Sequence, residues 1–272
     1  MVEIAIVTDE IALDLRDALK HGFEFGIRKY ELRCLGSYEK RIPFVDQQDI
    51  DFIQDLLIQK KIEITALSPG TFKIMASETE KLAHEMEKTL PQTFSLAKKF
   101  KAKKVISFGF MRDETPESKI IELLRQAGEM AAEYDLIFAI ENEPGAYADT
   151  GENTARIIKE INLDNVKVNW DPGNALSSGE IPFPTGYDYI KDMMVNLHIK
   201  DTVLHPKYEM RLLNDGGVNW LGQLFSVIHE KRLDYITLET HVFPLLPATI
   251  TDLQRLKIIL NAVKQLEECH ND

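Results

Sequence analysis

Short apolar runs rich in β-branched residues alternate along the chain with longer stretches of helical period. This is the pattern of parallel strands joined by crossover helices. The runs predict strands at Glu3 to Val7, Lys29 to Cys34, Glu63 to Leu67, Lys104 to Phe108, Ile137 to Glu141, Lys167 to Asp171, Val195 to Ile199 and Tyr235 to Glu239. Between them, Asp46 to Lys60, Glu78 to Phe100 and Pro116 to Tyr134 have acidic first turns and basic or aromatic ends, the polarity a helix dipole favours. Weaker helical period runs through Gly151 to Glu160 and Tyr187 to Asp192, and a last helix near Thr251 to Glu268 is expected to close the ring against the first unit.

Strand-then-helix units without an internal sequence repeat fit either a closed barrel or a doubly wound open sheet. Alternation within the later strands separates the two. Phe138 and Ile140, Val168 and Trp170, Leu197 and Ile199, and Ile236 and Leu238 fall on one face. Ala139, Asn169, Asn196 and Thr237 fall on the other, and all are small or polar. One face therefore meets helices and the other a confined, partly polar interior, as in a barrel whose upper layer is a site. No GxGxxG follows the first strand, so the dinucleotide-binding open sheet has no support. The expected fold class is α/β, a single (β/α)8 TIM barrel. No linker or low-complexity run divides the 272 residues, so one domain over 1–272 is expected.

Composition narrows the partners. Lys plus Arg number 32 against 44 Asp plus Glu, and the resulting net charge of −12 repels phosphate backbones and anionic membranes. Neither nucleic acid nor a membrane is expected to bind; a homo-oligomer is left open. The cysteines, Cys34 and Cys269, are far apart and lack CxxC spacing, which fits a reducing cytoplasm and no disulfide framework. The run Ile4 to Val7 is too short for a signal peptide and no later apolar stretch reaches bilayer length, so a soluble, cytoplasmic protein is expected.

Candidate chemistry sits at the ends of four consecutive predicted strands, in Ala139-Ile140-Glu141-Asn142-Glu143, Asn169-Trp170-Asp171-Pro172-Gly173-Asn174, Leu197-His198-Ile199-Lys200-Asp201 and Leu238-Glu239-Thr240-His241. Parallel strands of a barrel finish at one rim, so Glu141, Asp171, His198 and Glu239 should converge. A lone Asp at a strand end is more often a helix N-cap, and a lone His is usually structural. Four candidates in register on successive strands outweigh that, because three carboxylates gathered at one rim would repel without a cation. Mostly oxygen ligands suit one divalent metal ion, Mn2+ or Mg2+ first, with Co2+ or Zn2+ possible.

These ordered motifs resemble, over the full length, the xylose isomerase-like barrel superfamily, which includes sugar isomerases, ketose 3-epimerases, inosose dehydratase-type enzymes and endonuclease IV. The resemblance implies Glu141, Asp171, His198 and Glu239 as metal ligands. It further implies Glu141 and Glu239 as acid and base on opposite faces of a sugar-like small-molecule substrate. A metal on the carbonyl and adjacent hydroxyl oxygens acidifies the neighbouring C–H and stabilises the enediolate left by its removal.

Residues two beyond a ligand share its face while the strand persists, which adds Glu143, Lys200 and His241. Lys200 is expected either to stabilise charge on the substrate or to form a rim salt bridge with Glu143 or Asp201. His241 either binds a substrate hydroxyl or is a hydrogen-bonded loop residue. Glu31 resembles a mouth-facing family position, with an ion pair to Arg33 as the rival. Arg211 either meets a substrate anion or is a surface arginine. Asn174 is grouped with the candidate substrate-binding residues, and Gly216 and Gly217 form a turn before a helix and need no phosphate. His205, His229, His21, His84 and His270 lack ligand spacing and receive no function.

Departures from the family pattern matter too. Asn174 stands where trinuclear zinc members and some 3-epimerases have histidine, and Ser107-Phe108-Gly109-Phe110 contains none. Nuclease chemistry is therefore not expected, and the substrate is not inherited from those epimerases. The leading expectation is a divalent-metal-dependent sugar isomerase or epimerase; the alternatives are an inosose dehydratase-like lyase on a polyhydroxy ketone and a non-catalytic sugar-binding barrel.

Overall fold

The structure, a computed structural model, describes residues 2–204 and 207–270, which leaves His205 outside it. The chain runs through β1 (Glu3–Val7), α1 (Leu15–Glu24), β2 (Lys29–Leu32), α2 (Gln47–Ile58), β3 (Glu63–Leu67), α3 (Thr79–His84), α4 (Leu90–Phe100), β4 (Lys104–Phe108), α5 (Glu117–Glu133) and β5 (Ile137–Glu141). It continues through α6 (Gly151–Ile161), β6 (Val166–Trp170), α7 (Pro172–Ser177), α8 (Tyr187–Ile190), β7 (Met194–Ile199), β8 (Asp201–Val203), β9 (Glu209–Arg211), α9 (Trp220–His229), β10 (Tyr235–Leu238) and α10 (Leu245–His270). Eight parallel strands close in the order β1-β10-β7-β6-β5-β4-β3-β2, and β8 and β9 form a separate antiparallel pair. This is a (β/α)8 barrel.

The period-two pattern explains the layering. Phe138, Ile140, Trp170, Leu197, Ile199, Ile236 and Leu238 are buried in the large apolar core together with helix residues. Inside the ring lies a small apolar cluster of Ala66, Ile106 and Ala139, with Val195 packed on it. Above that cluster the interior turns polar. Thr237 Oγ1 donates to Asn196 Oδ1 (3.0 Å), Asn196 Nδ2 to Asn169 Oδ1 (2.8 Å), and Asn169 Nδ2 to Glu141 Oε2 (3.0 Å). Each buried amide is thereby satisfied, and the chain of bonds ends on a strand-end carboxylate.

Several elements differ from expectation in their bounds, and the expected helix Glu78 to Phe100 is divided into α3 and α4; some of these differences have clear local reasons. β6 stops at Trp170 because Asp171 becomes the N-cap of α7, its carboxylate accepting Asn174 N. Cys34 leaves β2 and makes an isolated bridge to Arg41 instead. The last helix starts at Leu245 rather than near Thr251, with Pro247 in its first turn, where a missing N–H costs nothing. Among the described residues no helix is long and apolar enough to cross a membrane.

A wide turn, Glu85–Thr89, joins α3 to α4. There Glu85 Oε2 accepts Phe72 N at 2.7 Å, and burial pushes the carboxyl from 4.5 up to about 7. A folded value above the unfolded one contributes stability that is complete below pH 4.5 and is lost as pH rises through about 7. Glu85→Gln keeps the acceptor but does not ionise. It should stabilise the protein by about 1 kcal/mol near pH 8, after discounting for partial exposure, and by almost nothing near pH 4. Urea unfolding at both pH values checks this, and an equal effect at the two would count against it.

Candidate metal centre

At the C-terminal rim, β5, β6, β7 and β10 each deliver one side chain. One ligand atom from each of Glu141, Asp171, His198 and Glu239 lies within 4.8 Å of all the others, and all four residues are buried. His198 Nδ1 is 3.6 Å from Glu141 Oε1 and 3.3 Å from Glu239 Oε2. Its other nitrogen, Nε2, is 3.1 Å from Glu31 Oε2. Glu31 is itself fixed by Ser68 Oγ, which donates to Oε1 at 2.5 Å, and by Asn196 Nδ2 at 3.4 Å from Oε2. A proton on Nε2 shared with Glu31 leaves Nδ1 as the imidazole's free acceptor, the way a carboxylate orients a ligating histidine.

Asp171 is held from both sides. Asn142 Oδ1 accepts Asp171 N and Asn142 Nδ2 donates to Asp171 O, both at 2.8 Å. Asp171 Oδ1 accepts Asn174 N at 2.9 Å, so this carboxylate does cap a helix, while its other oxygen points into the cluster. Oδ2 is fully buried without an aligned hydrogen-bond donor, although Lys200 Nζ lies 2.5 Å away. Burial pushes the Asp171 carboxyl up against the opposing pull of Lys200. An under-satisfied buried oxygen beside two more carboxylates and an imidazole is a donor set that a hard divalent cation fits.

Electrostatics divide the cluster. Burial alone would push the Glu239 carboxyl up, yet Lys200, His241 and His198 outweigh it and hold it well below the usual range. Burial likewise opposes charge on His198 and Lys200, but the surrounding carboxylates raise both. A second knot lies beside Glu239: Arg33 Nη1 reaches Glu239 Oε1 at 2.5 Å, and its other nitrogens reach Glu10 Oε1 at 2.6 Å and Asp9 Oδ2 at 2.9 Å. His241 Nδ1 meets Glu10 Oε1 at 2.5 Å, and the charges of His241 and Arg33 outweigh burial to hold Glu10 at about 2. A cavity of about 350 Å³ opens over both groups.

A strand-end ligand set of this order, in a closed parallel barrel, can be compared with known proteins. Residues 16–261 match the family model described as xylose isomerase-like TIM barrel. The chain belongs to the xylose isomerase-like TIM barrel family. A 3-dehydroshikimate dehydratase of Bacillus anthracis is 21% identical over 194 residues, covering 70% of this chain and 67% of that protein. The structure of L-ribulose 3-epimerase superposes with a TM-score of 0.77 at 13% identity, covering 100% and 99% of the two chains. The IOLI protein with a bound zinc atom gives 0.77 at 17% identity, with 96% and 98% covered. The structural likenesses establish the fold.

Within this family frame the other candidate residues separate. Lys200, Glu143, Glu31 and His241 line the cavity. Lys200 does not form the rim bridge to Glu143 or Asp201 but pairs with Asp171 and Glu239 (3.2 Å). Asp201 turns away to accept four backbone N–H groups, and Glu143 pairs with Lys73 at 2.6 Å. The Glu31 to Arg33 pair is also corrected: Glu31, inside β2, lies under His198, whereas Arg33, just past the end of β2, reaches Asp9, Glu10 and Glu239. Asn174 sits behind Glu141, with Nδ2 2.8 Å from Asn142 O, 3.3 Å from Glu143 Oε2 and 3.5 Å from Glu141 Oε1. Arg211 pairs with Glu209 on the exposed hairpin, whereas its neighbour Met210 lines the cavity. The surface reading of Arg211 is the one this geometry favours. Sequence reasoning missed Asp9 and Glu10, although an acidic pair directly after β1, at the same rim as the other strand ends, was a usable signal.

Proposed function

We propose that the chain is a divalent-cation-dependent isomerase or epimerase of a small sugar or sugar derivative, in which Glu141 and Glu239 move a proton at a carbon beside a carbonyl. One observation carries this reading: two buried carboxylates reach the same point beneath the cavity from β5 and β10, strands separated by β6 and β7 on one side and four strands on the other. Glu141, Asp171, His198 and Glu239 would hold the cation, Mn2+ or Mg2+ first. When bound, it would polarise the substrate carbonyl and make the adjacent C–H acidic.

Glu239 is the base, because Lys200, His241 and His198 keep it ionised, while Arg33 holds its other oxygen. Glu141, oriented by Asn169 and Asn174, handles the proton from the other face. Lys200 Nζ faces negative charge developing on the substrate oxygen. Glu31 keeps His198 in one tautomer, and Glu143, Asn174 and His241 bound the substrate's hydroxyls. The reading includes one domain over residues 1–272 and a cytoplasmic setting. Incubation in D2O with Mn2+ and a panel of ketoses and aldoses should place deuterium beside the carbonyl of an accepted substrate. Absence of exchange on every member would sink the proton-transfer class.

A dehydratase is the second reading. It is favoured by the His241 and Glu10 pair next to Glu239, which could supply a proton to a departing hydroxyl, and by the similarity to a named dehydratase. Product mass separates the two, since dehydration loses one water and isomerisation conserves mass.

A further inference from the structure

The arginine and lysine side chains lining the cavity are Arg33, Arg41, Lys73 and Lys200, beside His198 and His241, which are already paired with Glu31, Glu141, Glu239 and Glu10. Three of the four are committed to carboxylates: Arg33 to Asp9, Glu10 and Glu239, Lys73 to Glu143, and Lys200 to Asp171 and Glu239. Arg41, half-buried, has no carboxylate within 4.0 Å among the described residues. Its backbone is pinned by the bridge to Cys34 and by Ile42 N, which donates to Arg33 O at 2.9 Å. Its guanidinium lies across Gly70, whose φ is +78° and where an added Cβ would stand 2.0 Å from Nη1. A residue without a side chain at that turn is what lets the guanidinium reach the cavity wall.

From this geometry we propose that the cavity takes an unphosphorylated sugar acid or keto acid, with its carboxylate held by Arg41. The proposal rests on the cavity being the substrate site described above and adds the substrate's charge. A planar guanidinium fork matches one carboxylate through two parallel hydrogen bonds, and partial burial strengthens the pair. Phosphate is disfavoured by the loop that commonly binds it in barrels, after the seventh barrel strand. There Asp201 already accepts Thr202 N, Asn214 N, Gly216 N and Val218 N at 2.8–3.3 Å, and Gly217 N is taken by Thr202 O. The chain's own carboxylate fills the nest in which a phosphate would sit.

Calorimetric binding of 2-keto-D-gluconate, D-fructose and D-fructose 6-phosphate to the Mn2+-loaded protein tests this without requiring turnover. Wild type should bind the acid at least about tenfold more tightly than fructose, Arg41→Gln should erase the preference, and Arg41→Lys should restore part of it. Equal affinity of wild type for acid and ketose, no binding of any probe, or a preference that survives Arg41→Gln would overturn the proposal. Tighter, Arg41-dependent binding of the phosphate ester would overturn the choice of carboxylate. Missing deuterium exchange with the acid preference intact would instead fault only the proton-transfer reading.

Discussion

Glu239→Gln should lower turnover by about 10²- to 10⁴-fold while the protein still binds its cation, because an amide oxygen still coordinates a hard metal but accepts no proton at catalytic pH. The structure makes this substitution unusually clean. Arg33 keeps Asp9 and Glu10 as partners, Lys200 keeps Asp171, and the amide that replaces the Glu239 carboxylate can still offer its oxygen to either cation. His198→Ala should behave in the opposite sense. It removes an imidazole whose position Glu31 fixes, so cation affinity should fall at least about tenfold. Elemental analysis of metal content beside turnover, with circular dichroism as the fold control, distinguishes the two. Normal turnover by metal-loaded Glu239→Gln would reduce Glu239 to a ligand and defeat the two-carboxylate mechanism.

The ligand-bearing strand ends could be read from the chain because strand parity is a local property. Ala139 before Glu141, Asn169 before Asp171, Asn196 before His198 and Thr237 before Glu239 all mark the inward face, and barrel closure brings those faces together. Even the competing interpretation of Asp171 as a helix cap was physically sound, since one oxygen caps α7 while the other faces the cluster. What stayed hidden depends on contacts between distant segments. Arg33 and Glu239 are 206 residues apart, and nothing in Tyr30-Glu31-Leu32-Arg33 says that Glu31 meets a histidine from β7. The hairpin of β8 and β9 has three-residue strands, too short for alternation to tell that Met210 lines the cavity and Arg211 does not. The helix α1 was recoverable: Asp14 caps it and Leu15, Ala18, Leu19 and Gly22 form one buried face.

Arg33→Met should destabilise the cation-free protein by about 3–5 kcal/mol near pH 7, the usual result of stripping a buried carboxylate of its partner. Asp9, Glu10 and Glu239 are each no more than 4% exposed, and all three face this one guanidinium. Methionine fills the volume of the side-chain stem, so the loss reports charge rather than a cavity. Burial already pushes Asp9 up against the pull of Arg33 and a lesser one from the Cys34 N–H; without Arg33 its folded value climbs further above the unfolded one. Stability from such a group is present at low pH and lost as pH rises through the folded value, so the deficit should narrow on acidification toward about pH 5. Adding Glu10→Gln to Arg33→Met removes one stranded charge and should recover part of the loss, a coupling expected only of groups in contact. Urea unfolding in the presence of a chelator, at both pH values and for both variants, provides the measurement. If Arg33→Met matched wild type at neutral pH, the three carboxylates would have to be neutral, solvated or held by their other cationic neighbours there, and Arg33 could not be what stabilises this knot.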